Sequence, residues 1–282
     1  MDRLRIFVAW GAEHHGPTHS AALIRVGLAL IIWVRFADEV AFFNAVDPLF
    51  LPFGVWMFVW PLFALIGLFP RVSIAMCGIG IFFGYFMFGA NFRLPGWYHH
   101  HVYLLGAACL LLALTPCGRS WSFERWRTLK EADRDGKPTP DQTGPLWGLR
   151  LIGLQLSAIY FWTAVDKTEW AWVNGERLEQ IFVWHYSGRA LEPVLLEPVV
   201  MATLATLVLV VEYALAVLIQ LRRWQPVVLP IGLSLHVAFY LFLPVDTYSI
   251  TMILLYLALI PPEAVTRFLG RMQGGVVETH LR

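Results

Sequence analysis

Eight stretches of this chain are apolar over lengths that approach or reach the roughly 20 residues needed to cross a bilayer. They run over Ala21–Phe43, Leu51–Phe69, Val72–Ala90, His99–Leu114, Leu146–Val165, Val199–Leu221, Pro226–Leu243 and Tyr248–Ile260. Lipid offers the backbone no hydrogen-bonding partner, so each stretch must satisfy its own N–H and C=O groups, which a helix does. The fold class is therefore all-α: a polytopic helical membrane bundle of about eight spans. A water-soluble domain needs about 25% charged residues to cover its surface. This chain has 15%, against 58% hydrophobic. Its 13 Trp and 20 Phe suit interfacial anchoring.

The lysines and arginines test the helix count. With the N-terminus inside, the inner pieces carry Arg3, Arg5, Arg71, Arg119, Arg125, Arg127, Lys130, Arg134, Lys137, Arg222, Arg223, Arg267, Arg271 and Arg282. The outer pieces carry only Arg93, Lys167, Arg177 and Arg189. Positive charge collects on the cytoplasmic side, and an odd helix count would break the alternation. Both termini are thus expected to be cytoplasmic, in a multi-pass protein of the cell (inner) membrane.

The transmembrane domain is expected over 21–262. Before it, 1–20 reads as an interfacial lead-in rather than a signal peptide, because the apolar run Ile6–Trp10 is too short. After it, 263–282 forms a cytoplasmic tail. Within it, 118–144 reads as a mobile cytoplasmic linker, since EADRDGKPTPDQTG has turn formers and charges but no apolar period. The segment 166–198 mixes tryptophans with acids and arginines, and it reads as interfacial helices on the outer face.

A net charge of +1 gives no basic field for nucleic acid. Cys77, Cys109 and Cys117 have no CxxC spacing and read as packed thiols. The run His99-His100-His101 points three ways on a helix and lacks an HxxxH companion, so no metal is expected. Ionisable side chains at membrane depth carry more information, because they are costly unless paired or used. Arg35 and Asp38, three apart on the first span, can pair. Glu212, amid VLVV and YALAVLIQ, is expected to be buried against a polar or cationic neighbour such as His236 or Arg35. Lys167, in AIYFWTAVDKTEWAW, is either a snorkelling lysine or partner of Asp166, or a base partly desolvated among aromatics. Standing at a helix end, it is not expected to hold the bundle together.

Four of these stretches resemble, in order, the membrane region of vitamin K-dependent γ-carboxylase and its bacterial relatives, the horizontally transferred transmembrane (HTTM) proteins. LIRVGLAL, with Arg25, is similar to the family's first-helix arginine motif. HVYLLGAACLLLAL is similar to its HxYLxG segment and places His101 on the family histidine. IYFWTAVDKTEWAW places Lys167 on the catalytic lysine, and SLHVAFYLF supplies the later histidine, His236. The resemblance implies a lysine base that deprotonates reduced vitamin K or menaquinol on the non-cytoplasmic side. Dioxygen and carbon dioxide are then co-substrates and a glutamate in a peptide or protein is carboxylated. His101 and His236 would contact substrate or stabilise developing charge.

Two departures bear on this. The carboxylase has a lysine pair, whereas Asp166 precedes Lys167 here, and an adjacent carboxylate favours the ammonium form. The chain also ends twenty residues after Pro262, so the carboxylase's extramembrane, propeptide-engaging domain is not expected. A non-catalytic membrane protein that helps mature or export a secreted peptide is therefore the second reading. The charge asymmetry predicts that a single cysteine in the 118–144 linker and one at Trp170 are labelled from opposite sides of the membrane by an impermeant maleimide. Labelling of both from one side overturns the topology.

Overall fold

The computed structural model describes residues 15–46, 50–94, 96–190, 192–243 and 245–272. The lead-in predicted over 1–20 lies outside these residues up to position 14, as does the tail from position 273 onward. The chain divides into two compact units, residues 1–152 with 257–282, and residues 153–256.

The first unit begins with β1 (His15–Pro17), followed by α1 (His19–Val46), α2 (Leu51–Ile66) and α3 (Pro70–Gly84). A π-helical turn, Tyr85–Asn91, extends α3, and α4 (His100–Leu112) follows. Ile24, Leu28, Ile32 and Phe36 recur every four residues on α1 and are buried. That spacing puts them on one helix face, and they form the core with Ile74 and Ile81 of α3 and Leu105, Ala108 and Leu112 of α4. Trp97, from the loop before α4, stacks on Phe36 at 4.6 Å. A Cβ at Gly84 would stand 2.2 Å from the indole ring, so only glycine lets α3 pass there.

The linker differs from expectation. Residues Phe123–Arg134 form a helix, α5, with Ser122 as its cap, accepting a hydrogen bond from the Arg125 N–H at 2.9 Å. Thr143–Pro145 forms β2, antiparallel to β1, with Gly16 opposite Gly144. Thr18 donates from its hydroxyl to the Gln142 carbonyl at 2.8 Å, and Arg125 donates to the Pro140 carbonyl. A polar helix docked through caps and guanidinium–carbonyl bonds leaves no apolar period to read, which is why the segment looked mobile. Arg25 anchors the same region. It is fully buried, and its two terminal nitrogens donate to the carbonyls of Cys117 and Trp121, each at 2.5 Å. Trp121 has φ 48°, a strained value for a bulky residue, held in place by its surroundings.

From β2 the chain enters α6 (Trp147–Asp166), which leads into the second unit. That unit adds α7 (Trp170–Val173), α8 (Glu176–Tyr186) and α9 (Glu192–Leu195), three short helices within the 166–198 segment. The long helices α10 (Pro198–Leu218) and α11 (Gln225–Phe242) follow, then α12 (Asp246–Leu255) with a 3₁₀ turn at Tyr256–Ala258. The last helix, α13 (Pro262–Met272), belongs to the first unit. In the second unit, Leu178, Phe182 and Tyr186 of α8 pack on Met201 and Ala205 of α10. The opposite faces of α10 and α11 expose large apolar side chains, Val217 at 61% and Leu241 at 64%. A soluble monomer would not carry such faces, and lipid covers them.

Every predicted span coincides with a helix. Five are long and apolar enough to cross a bilayer: His19–Asp38, Pro70–Asn91, Trp147–Asp166, Pro198–Leu218 and Gln225–Phe242. The other three coincide with α2, α4 and α12, of 16, 13 and 10 residues, which are short for a straight crossing. This is a helical, multi-pass membrane bundle. Arg25→Leu leaves two carbonyls without their donor, at about 1–3 kcal/mol each. Folded protein on detergent size exclusion is expected to fall sharply. Arg25→Lys should recover only part of it, because an ammonium cannot span both carbonyls.

Candidate functional site

Lys167 follows the last residue of α6, where its main-chain N–H still reaches the Thr163 carbonyl at 3.2 Å. Tyr160, Ala164 and Lys167 therefore fall at i, i+4 and i+7, on one side of the helix. The Lys167 ammonium donates to both oxygens of Glu212 on α10, at 2.7 and 2.8 Å. Glu212 is buried as predicted, but its cationic neighbour is Lys167 rather than His236 or Arg35. Nor does Lys167 turn to the adjacent Asp166. The two partners differ in access, with side-chain exposures of 18% for Lys167 and 3% for Glu212. The lysine stands at a surface and the carboxylate behind it.

That surface is a cavity of about 630 Å³, lined by Asp166, Lys167, Glu169, Trp172, Arg177, Gln180, Ile181, Trp184 and His185. The Lys167 Nζ lies 5.2 Å from the Trp172 ring centroid, within cation–π range. Trp172 is fixed by an indole bond to the Ala205 carbonyl at 2.9 Å. Arg177 and Glu169 form an ion pair at 2.6 Å. The cavity thus sets Trp172, Trp184 and Ile181 beside charged and polar groups, Asp166, Glu169, Arg177, Gln180 and His185.

Behind the ion pair lies a second, dry cluster. The Tyr160 hydroxyl is 2.6 Å from the His236 Nε2 and 2.6 Å from the Tyr256 hydroxyl. All three side chains are buried, His236 completely. A Cβ at Gly232 would stand 1.8 Å from the Tyr256 oxygen, so glycine at that turn of α11 admits the phenol. Glu212 is in electrostatic range of Tyr160 and Tyr248, and Lys167 of His236.

Of the residues singled out in the sequence, Lys167, Asp166, Glu212 and His236 fall in the second unit. His101, Arg25 and Arg35 fall in the first. His101 is on α4, half-buried, with its ring 6.0 Å from that of His99. Arg35 on α1 donates to the Gly96 carbonyl and lies over the Phe36 ring. Arg25 is taken up by main-chain carbonyls. Among the described residues, no three His, Cys, Asp or Glu side chains are grouped to hold a metal. Tyr160 and Tyr256 were not singled out in the sequence, because a tyrosine within an apolar helix is ordinary. The one available signal is the i, i+7 spacing of Tyr160 and Lys167.

The model of the HTTM domain matches residues 18–263, most of the chain. The protein belongs to the HTTM domain family, and so to the membrane proteins related to vitamin K-dependent carboxylase. No curated protein and no solved structure matches the chain.

The Lys167–Glu212 pair corrects the expectation that the lysine charge is dispensable to the bundle. Lys167→Met leaves a buried carboxylate without its cation, a loss of about 3–5 kcal/mol when one partner of a buried pair is removed. Lys167→Met with Glu212→Leu removes both charges and is expected to regain most of that stability. Thermal unfolding in detergent, read as a double-mutant cycle, checks this. Additive losses would show that the two groups are not coupled.

Proposed function

We propose that the protein is a membrane enzyme in which Lys167 acts as a base on a quinol-type molecule held in the cavity beside Trp172 and Trp184, at the non-cytoplasmic face. The observation that carries this is the arrangement of the pair: the amine opens to an aromatic cavity while the carboxylate is sealed behind it. A quinol, when bound, supplies a weakly acidic hydroxyl and reducing equivalents. Reduced vitamin K or menaquinol fits by chemistry, since a flat aromatic ring can lie against tryptophan and its hydroxyl can face Nζ. Carboxylase-type chemistry further requires dioxygen, carbon dioxide and a peptide or protein glutamate.

Paired with Glu212 as an ammonium, Nζ has no lone pair with which to accept a further proton. Transfer of a proton from Nζ to Glu212 Oε1 over 2.7 Å leaves a neutral amine and a carboxylic acid. The amine then takes the substrate proton at Nζ. The pair ends with one proton more than it began with, as an ammonium beside a neutral acid. Its net positive charge faces the anion it has made. His236 would act through Tyr160 and the ion pair rather than by touching the reacting atoms. The charge asymmetry of the sequence supports an inner-membrane protein with cytoplasmic termini, and hence a cavity on the outer side.

The second reading, a non-catalytic partner in peptide maturation or export, is favoured by the same ion pair taken alone. Two charges on neighbouring helices that satisfy each other need no further role. Lys167→Arg separates the readings. A guanidinium can keep the pair with Glu212 but stays protonated at any working pH. The expected result is normal abundance, quinone still found by mass spectrometry in the lipid extract of the purified protein, and quinol-dependent turnover lost. Turnover is measured as quinol consumed and labelled carbon dioxide fixed. Full function of the host pathway with Lys167→Arg, and no quinone in the wild-type extract, would establish the non-catalytic reading instead.

A further inference from the structure

At the start of α3, away from Lys167 in the chain, a second cavity of about 620 Å³ is lined by Arg71, Arg119 and Arg125, with Glu124 and Asp141 beside them. Each guanidinium is already anchored by one bond to the main chain. Arg71 Nε donates to the Ala113 carbonyl at 2.8 Å, Arg119 to the Thr143 carbonyl, and Arg125 to the Pro140 carbonyl. A guanidinium has five N–H donors, so each keeps others to offer, and the anchoring fixes where they point. The Arg125 Nε is buried without an acceptor among the described residues. Of the two acids, Asp141 is engaged by the Thr143 N–H at 3.1 Å and by its hydroxyl. Those bonds hold its carboxyl below the usual carboxylate range.

Three guanidiniums against two carboxylates leave the lining one positive charge in excess. That matches a singly charged phosphodiester better than a doubly charged free phosphate. The surroundings are amphipathic. Phe69 and Val72, on the wall of the cavity, are 55% and 49% exposed, and they open the span Pro70–Asn91. A ligand here would have its polar part among the arginines and its apolar part along the start of a membrane-crossing helix. We propose that this cavity binds the phosphodiester headgroup of an anionic phospholipid. Basic pockets at the cytoplasmic ends of spans recognise headgroups in this way. The sequence places Arg71, Arg119 and Arg125 on that side by charge alone.

The test uses the full chain purified in neutral detergent and titrated with phosphatidylglycerol, phosphatidylcholine or inorganic phosphate under native mass spectrometry. Phosphatidylglycerol is expected to form a discrete adduct that survives gentle activation and binds more tightly than phosphatidylcholine. In Arg71→Gln with Arg125→Gln its affinity should fall about tenfold, as charge-assisted bonds to phosphate are lost. Arg71→Lys with Arg125→Lys, which keeps the charge, should retain most of the affinity. If the glutamine variant does not fold, the lysine variant and the comparison of lipids on the wild type still decide the question. Equal binding of phosphatidylcholine, unchanged affinity in a folded glutamine variant, or displacement of the lipid by inorganic phosphate each overturns the proposal.

Discussion

A polar group inside a bilayer has to be satisfied by the chain itself, and the interior of this protein is arranged around that requirement. Arg25, Lys167 and Glu212 are too polar to face acyl chains, and each has been given partners that are far away in sequence. The cost of leaving any of them unpaired exceeds what one apolar contact returns. The apolar faces then follow. They can pack loosely or face lipid, as the exposed valines and leucines of α10 and α11 do, because nothing there demands a particular neighbour.

How a cation is satisfied decides what else it can do. Arg25 meets carbonyls that cannot take its proton, so its bonds are purely structural. Lys167 meets a carboxylate that can, at a distance suited to transfer. The difference between an anchor and a candidate base therefore lies in the partner rather than in the lysine or arginine alone. The cavity beside Trp172 adds the second requirement, room for a molecule next to the amine.

Much of the helical layout was legible in the sequence, because apolar runs and charge asymmetry are consequences of the solvent and need no tertiary information. Lys167 and Glu212 stood out for the same reason, as charges where charge is costly. Their pairing was not legible: they lie 45 residues apart on different helices, and only packing brings them together. The docked linker was misread because a polar helix held by Ser122 and by guanidinium–carbonyl bonds leaves no periodic trace. His101 and His236 looked alike as histidines on apolar helices, yet only His236 shares a unit with Lys167. Tyr256 gave no signal and Tyr160 only its spacing from Lys167, since a phenol becomes notable only once its hydroxyl meets another.

The hydroxyl of Tyr160 has one proton and two neighbours at 2.6 Å, so the three-membered chain it forms has a direction. Either Tyr256 donates to Tyr160 and Tyr160 donates to His236, or all the donors run the other way. The imidazole ring chooses between them. In the first arrangement its own proton sits on Nδ1, which is buried and has no acceptor among the described residues. In the second its proton sits on Nε2, Nδ1 keeps an unmet lone pair, and the buried Tyr256 hydroxyl needs an acceptor of its own. Each arrangement leaves one buried donor to be satisfied, the Nδ1–H in the first and the Tyr256 O–H in the second, so the two are closely balanced. Moving a single proton between the ring nitrogens reverses both tyrosine hydroxyls at once, and with them a line of dipoles lying next to the ion pair.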